Sequence, residues 1–389
     1  MRRWHLQVIS VLTALTCAVG CGSGNTQPIT PSQPVFLYAV VNTAPPPSNP
    51  SFELQAFEFD PATNTLSSKS TVPLGFVAGM AIDPSGKFLY ASSLNTIQKY
   101  SIDSATGALQ SAGASNLTQI CAFCQPISGP GALTFSSDGK FLYYGSSSGG
   151  SVTQVVGALA VDSTGSLSPV PGSPFLADQT PVLVGAHPSG RFVITENTPG
   201  YGVFPFPMSS MSVFVVDPNT GALSEATGSP LSSAVNADVV GLAIHPSGKF
   251  VYASTGVSAN GVLGWGLDQT TGALNNLSGS PALPGATTFG GAFHPSGNFL
   301  YVSAGSAGGI YGLRVDPNTG ALTSLANSPF LQGVILLDPT VDASGKFLFA
   351  VDSLNKAIVT FAIDSAGMLT KVGSPAAING IPGQLAASR

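Results

Sequence analysis

The sequence predicts an all-β protein assembled from repeated four-stranded antiparallel sheets, and three observations carry that expectation. First, Gly (46) and Pro (31) make up about a fifth of the 389 residues, while charged residues make up 8%. An ordinary soluble domain holds roughly 25% charged residues. Helix surfaces are normally filled with Glu, Lys and Arg, so this composition argues against helices. Second, 43% of the residues are hydrophobic. That supplies a core and argues against disorder, which needs low hydrophobicity and high charge. Third, an aromatic-rich strand phrase recurs seven times, beginning at Phe36, Phe88, Phe141, Phe192, Phe250, Phe299 and Phe347.

The chain opens with Arg2 and Arg3, an apolar run from Leu6 to Val19, and the segment Ala18-Val19-Gly20-Cys21. A basic start, a short apolar stretch and small residues describe a secretory signal. Spanning a bilayer would take about 20 apolar residues. The segment ending at Cys21 resembles a bacterial lipobox, so residues 1–20 are expected to be a lipoprotein signal peptide and Cys21 to be lipidated. An ordinary signal peptide cut nearby is the plainer alternative. Residues 21–34 are rich in Gly, Ser, Thr, Pro and Gln and read as a flexible tether. The expected location is extracytoplasmic, periplasmic or at the cell surface, with the membrane reached through the lipid anchor alone. Export also bears on Cys121 and Cys124, for which a local disulfide is the leading reading in an oxidising compartment. A redox motif would want a βαβ context. Haem attachment would want His where Gln125 stands, and two thiolates do not complete a zinc site.

From residue 35 to 389 the repeat takes over. Each unit reads as strand, Pro-Ser-Gly turn, strand, loop, strand, Asp-x-x-Thr-Gly turn, strand; the second turn is fullest at Asp217-Pro218-Asn219-Thr220-Gly221. A third phrase closes several units, as at Gly228-Ser229-Pro230. A meander of about 50 residues has the size of one propeller blade, so the expected fold is a seven-bladed β-propeller. The first unit begins at its second strand. The tail Pro382-Gly383-Gln384-Leu385-Ala386-Ala387 matches the first-strand phrase Pro130-Gly131-Ala132-Leu133-Thr134-Phe135. The C-terminal strand is therefore expected to complete the N-terminal blade and remove the open sheet edges.

The repeat also absorbs most of the ionisable residues. Asp60, Asp103, Asp162, Asp217, Asp268, Asp316 and Asp364 fall in the Asp turns, where the side chain accepts hydrogen bonds from the backbone two residues on. His187, His245 and His294 share a turn slot with Asp83 and Asp342, so they read as turn hydrogen-bonders rather than catalysts. Arg191 and the lysines beside these turns read as solvated. Gly145-Ser146-Ser147-Ser148-Gly149 matches the hydrolase Gly-x-Ser-x-Gly pattern but falls in a Ser/Gly-rich loop between strands, without the helix that such an elbow needs. No basic run exists beyond the first three residues and the formal net charge is −5, so nucleic-acid binding is not expected.

The remaining chemistry lies on the disc face that carries the variable loops, where sites are built on a rigid scaffold. Glu196 ends a second strand and Asp338 opens the innermost strand of the last blade; Asp238 and Asp352 join them on this face. Together with Asn197, and with Tyr201 of the proline-stiffened insert from Glu196 to Pro207, these residues are expected to bind a hydroxylated ligand. Glu196 and Asp338 are the candidate catalytic groups. No metal site or cofactor is expected; calcium, which takes six to eight oxygens, is the one ion that loop carboxylates and carbonyls would suit.

The phrases His245-Pro246-Ser247-Gly248-Lys249-Phe250-Val251-Tyr252 and Val315-Asp316-Pro317-Asn318-Thr319-Gly320-Ala321-Leu322 resemble the lactonase family of seven-bladed propellers. That family includes bacterial 6-phosphogluconolactonases and fungal carboxymuconate-lactonising enzymes. The resemblance implies the propeller fold over about residues 35–389 and, as an activity, lactone hydrolysis or a related cycloisomerisation. Bacterial members carry Pro-Arg-His on a middle blade and Asn-Glu at the end of the next strand. Pro181 and Asn197 match, but Val182 and Leu183 stand where Arg and His would be, and Thr198 where Glu would be. Glu196 comes two residues early, which keeps it on the same side of a strand. A phosphorylated or carboxylated substrate wants Arg or Lys donors, and the loop face offers Lys356. The expected function is an exported, lipid-anchored platform for a small-molecule, carbohydrate or protein ligand. The alternative is a hydrolase or cycloisomerase acting on a neutral lactone.

Overall fold

The computed structural model describes residues 34–388 except 45–50, 76, 78, 94–95, 118–123, 127–132, 149–153, 199–208, 233–238, 257–259 and 306. Residues 1–33, with Cys21, and Cys121, Tyr201 and Asp238 therefore lie outside the described residues. No α-helix occurs among those described, and the strands assemble into seven antiparallel sheets. Blade I holds Val35–Asn42, Phe52–Asp60 and Thr65–Leu74, and takes the tail strand Ile381–Ala387 as its innermost member. Blade II runs from Gly79–Ile82 to Leu109–Asn116, blade III from Leu133–Phe135 to Leu167–Pro169, and blade IV from Thr180–Ala186 to Leu223–Glu225. Blade V runs from Val239–Ile244 to Leu274–Asn276, blade VI from Thr288–Phe293 to Leu322–Ser324, and blade VII from Leu336–Val341 to Leu369–Ala377. The tail pairs Ala387 with Leu37 and Leu385 with Ala39, so the expected seam closes the ring.

The buried side chains fall into seven hydrophobic clusters, one for each seam between neighbouring blades. The repeated phrases are the two halves of that joint. At six seams the leading aromatic residue of one blade lies against the glycine of the next blade's Asp turn: Phe36 on Gly107, Phe88 on Gly165, Phe141 on Gly221, Phe192 on Gly272, Phe250 on Gly320 and Phe299 on Gly367. A side chain on Gly320 would start 2.6 Å from Phe250 Cδ1, and its φ is +71°. Glycine is thus required twice, by space and by backbone. The tyrosine two residues on completes the joint. Tyr38, Tyr90, Tyr252 and Tyr301 donate their buried hydroxyls to the carbonyls of Gly107, Gly165, Gly320 and Gly367.

The third phrase solves a different problem. The fourth strand breaks after three residues in blades III to VI, which would leave an N–H of the third strand unpaired, a costly state when buried. The serine of the Ser-Pro pair accepts it: Ser173 Oγ from Ala158 N–H, Ser229 from Val213, Ser280 from Gly264 and Ser328 from Gly312.

The seven aspartates close their turns as expected, accepting bonds from Thr hydroxyls and backbone N–H groups. The histidines do more than cap a turn. Nδ1 of His187, His245 and His294 accepts the N–H of the serine two residues on. Nε2 therefore carries the proton and donates it to Gly248, Gly297 and Gly345 of the next blade. Arg191 is not simply solvated; it donates to Gln269 O at 2.7 Å across the same seam. Gly145 to Ser148 is not a loop either but lies inside the strand Phe141–Ser148, with Ser146 opposite Val155 and Pro126. Cys124 begins the short strand Cys124–Pro126; a disulfide with Cys121 falls outside the described residues.

Candidate functional site in the central channel

The innermost strands of the blades line the channel. Those of blades I, IV, V, VI and VII each carry one extra residue opposite the second strand: Val182, Val240, Gly290, and the stretches at Asp338-Pro339 and Gly383-Gln384. Such bulges re-aim side chains and recur beside functional sites. Four residues before the turn slot, six of the seven blades present a described equivalent position: Gln384, Gly79, Leu183, Gly241, Gly290 and Asp338 in blades I, II, IV, V, VI and VII. Five of these six line a cavity of about 150 Å³; Gly79 does not. An engineered apolar cavity of similar size holds benzene, so this space accommodates about one six-membered ring.

Glycines make the room. Gly241 and Gly290 approach so closely that a Cβ on Gly241 would sit 2.6 Å from Gly290 Cα. Gly290 and Asp338 share one left-handed conformation, with φ of +49° and +48°. Asp tolerates that region better than most residues, and such strain concentrates at functional sites. A Cβ on Gly290 would lie 3.7 Å from Asp338 Oδ1, so the carboxyl group abuts the cavity's glycine wall. Among the described residues lining the cavity, Asp338 is the one ionisable side chain. Burial pushes its carboxyl up to about 7. The Thr340 hydroxyl donates to Asp338 O and Leu385 O, both at 3.3 Å, tying blade VII to blade I. Gln384 bridges to blade II, its Oε1 accepting Met80 N–H at 2.7 Å and its Nε2 donating to Met80 O at 3.0 Å.

Asp338 does not open its strand, as expected, but sits third in Leu336–Val341, inside the bulge. Glu196 does not end its strand, which continues to Thr198. It is 1% exposed and lies on the same strand face as Phe192 and Ile194, which pack on blade V; it is not among the residues lining the cavity. Asn197 faces the other way. Its Oδ1 accepts the Thr195 hydroxyl at 2.8 Å, its Nδ2 donates to Ser212 and Ser210, and Ser210 donates to Asp178. Asp352 accepts the backbone N–H and side-chain amide of Asn355, closing its own turn. The structure thus brings Asp338 alone of the described candidates to the cavity. Sequence reasoning passed over Gln384, Gly241 and Gly290. Among the described residues no group of three or more His, Cys, Asp or Glu is arranged to hold a metal ion.

Residues 113–386, more than half of the chain, match the family model "Lactonase, 7-bladed beta-propeller". The chain belongs to the lactonase family. Among solved structures, this lactonase propeller is similar to a "putative 6-phosphogluconolactonase" from Bacteroides fragilis, with a TM-score of 0.71 and 18% identity over 92% of this chain and 99% of that one. It is also similar to the periplasmic gluconolactonase of Pseudomonas aeruginosa, with a TM-score of 0.70 and 17% identity over 92% and 99%. Identities this low speak for the fold. No curated protein sequence matches the chain.

Proposed function

We propose that this lactonase propeller hydrolyses a neutral, single-ring lactone in its central cavity, with Asp338 as the general base. One observation carries the reading: Asp338, the one carboxyl group among the described lining residues, stands at the wall of a ring-sized cavity cleared by two glycines. A carboxyl group held near 7 by burial has the affinity for protons that a base working at neutral pH needs. Ionised, Asp338 takes a proton from water as the water oxygen attacks the lactone carbonyl carbon. Collapse of the tetrahedral intermediate breaks the ring C–O bond, and the proton passes from Asp338 to the departing oxygen. The product is a hydroxy acid, which ionises and is repelled by the regenerated carboxylate.

Charge supports a neutral substrate. Among the described residues no Lys, Arg or His lines the cavity, and Arg191 and Arg314 are engaged by carbonyls at the blade turns. A phosphorylated lactone would meet a carboxyl group without a cation. The name of the Pseudomonas neighbour, a gluconolactonase, agrees with a neutral sugar lactone, and its periplasmic description agrees with the export expected from residues 1–21. The platform reading rests in part on residues 199–208 and 233–238, outside the described residues; the cavity supports the hydrolase more directly.

The test is a panel of neutral and phosphorylated sugar lactones, with and without chelator. The unsubstituted protein is expected to open neutral rings faster than phosphorylated ones. Asp338→Asn, which keeps the shape and the left-handed backbone, is expected to lower kcat by about 100-fold or more. A stable complex with a carbohydrate or protein and no turnover of any lactone would support the platform instead.

A further inference from the structure

The reading above supplies a base but leaves the developing negative charge on the lactone carbonyl oxygen without a partner. Stabilising that charge is usually the largest single contribution to catalysis of this kind. With no cation among the described lining residues, the partner sought is a neutral donor. The equivalent channel positions narrow the choice. Those of blades II, V and VI are glycines and that of blade IV is Leu183. Gln384, in blade I, sits at the position equivalent to that of Asp338 in the adjoining blade VII, and both line the same cavity.

We infer that Gln384 is the oxyanion donor, giving an Nε2 hydrogen to the lactone carbonyl oxygen while Asp338 activates water. This rests on the hydrolase reading. The orientation of the amide is fixed by its two bonds to Met80, which require Oε1 to face an N–H and Nε2 to face a carbonyl. Nε2 carries two hydrogens, and only one is used by Met80 O; the second has no partner among the described residues. The amide is therefore held in place before substrate arrives, the condition under which a donor strengthens selectively in the transition state. The Thr340 hydroxyl, shared between Asp338 O and Leu385 O, holds the donor strand beside the base strand.

In the step itself, the carbonyl electron pair moves onto oxygen as water adds, and the Gln384 N–H shortens its contact with that oxygen. When the pair returns, the ring C–O bond breaks and Asp338 gives up its proton to the leaving oxygen. Gln384 neither gains nor loses a proton. A glutamine also suits the proposed specificity, because it adds no charge that would recruit a phosphorylated substrate.

The experiment compares full-length wild type, Asp338→Asn, Gln384→Met and Gln384→Glu on whichever neutral lactone the wild type opens, with thermal melts on each. Gln384→Met is expected to lower kcat by about 100- to 1,000-fold, with KM within about threefold of wild type. Gln384→Glu retains an oxygen for Met80 N–H, so it is the variant expected to fold if Met does not. It is expected to lose a similar factor in kcat and to move the acid limb of the rate profile to higher pH, because a second carboxylate raises the Asp338 pKa. A purely structural latch would lower the melting temperature and leave both kcat of the folded fraction and the pH profile unchanged, which overturns the assignment. If Asp338→Asn is inactive while both Gln384 variants keep kcat, the Gln384 assignment alone fails. If Asp338→Asn matches wild type, or wild type opens no lactone, the hydrolase reading fails first.

Discussion

Replacing Gly241 and Gly290 separately by Ala tests whether the cavity is shaped as described. A methyl group on Gly241 would meet Gly290 Cα at 2.6 Å and Gly290 N at 2.8 Å. Both are backbone atoms with no rotamer to escape into, so the inner strands of blades V and VI must part. Overpacking of this kind costs about 1–3 kcal/mol. The bond from Ser254 Oγ to Gly290 O, 3.2 Å long across the same seam, is lost with it, for about 1 kcal/mol more. Gly241→Ala should therefore lose about 2–4 kcal/mol. Gly290→Ala meets nothing closer than Asp338 Oδ1 at 3.7 Å and Pro339 Cδ at 3.9 Å. Its cost is the left-handed backbone, about 1–2 kcal/mol for a residue with a Cβ. The new methyl group also occupies the cavity beside the base, and misplacing substrate by even 1 Å can cost about 100-fold in rate. Denaturant titrations of both variants, read beside lactone turnover, give the answer. Gly241→Ala should be the less stable, and Gly290→Ala should lose turnover out of proportion to its stability. The reverse order of stabilities, or unchanged turnover in Gly290→Ala, would refute the description of the glycine wall.

Three further outcomes follow from the seams. Burial, ahead of the nearby Arg191 and Lys249 charges, lowers the pKa values of His187 and His245. The native state then binds fewer protons than the unfolded chain, so stability is full above about pH 6.5 and falls as pH drops through that value. Melts at pH 7.5 and 5.5 should show the loss, His187→Gln and His245→Gln should each reduce it, and an unchanged slope would exclude the histidines as its source. Tyr252→Phe removes a 2.6 Å bond to Gly320 O and should cost about 1–3 kcal/mol. Tyr143→Phe should be neutral or stabilising, because the buried Tyr143 hydroxyl has no partner among the described residues; equal losses for the two would contradict this. Truncation after Gly380 removes the innermost strand of blade I and should abolish the cooperative melt followed by circular dichroism.

The ring was legible because its residues recur at fixed offsets: each Phe has its Asp turn, each His its Pro-Ser-Gly. Asp338 was legible by subtraction, as an acid that no turn required. Glu196 passed the same filter, yet its strand runs two residues further and carries it into a blade interface, a fact set by pairing with Met211 rather than by local pattern. Asn197 looked available because Ser210 and Ser212, which its amide reaches, and Asp178, which Ser210 reaches in turn, are remote in sequence. Gln384 was hidden for the opposite reason, since a matching tail phrase accounted for it as mere closure. Counting four residues back from the turn slot in every unit would have exposed it, together with Gly241 and Gly290. Tyr201 and Asp238 belong to sequence stretches whose lengths follow no repeat.

The joint between blades has a consequence for how such a chain arises. Every unit that owns both a Phe-x-Tyr plug and a glycine socket can dock on a copy of itself, so duplicating one 50-residue stretch supplies complementary surfaces with no new invention. Unchecked, plug-and-socket copies could be added without end. Blade VII meets blade I differently: Asn64, with φ of +55°, replaces the socket glycine, and Phe347 and Phe349 instead set their rings edge-on against Phe59, at 4.7 and 5.1 Å. The seventh copy thus recognises the first by a key that no other pair shares, which specifies where counting stops.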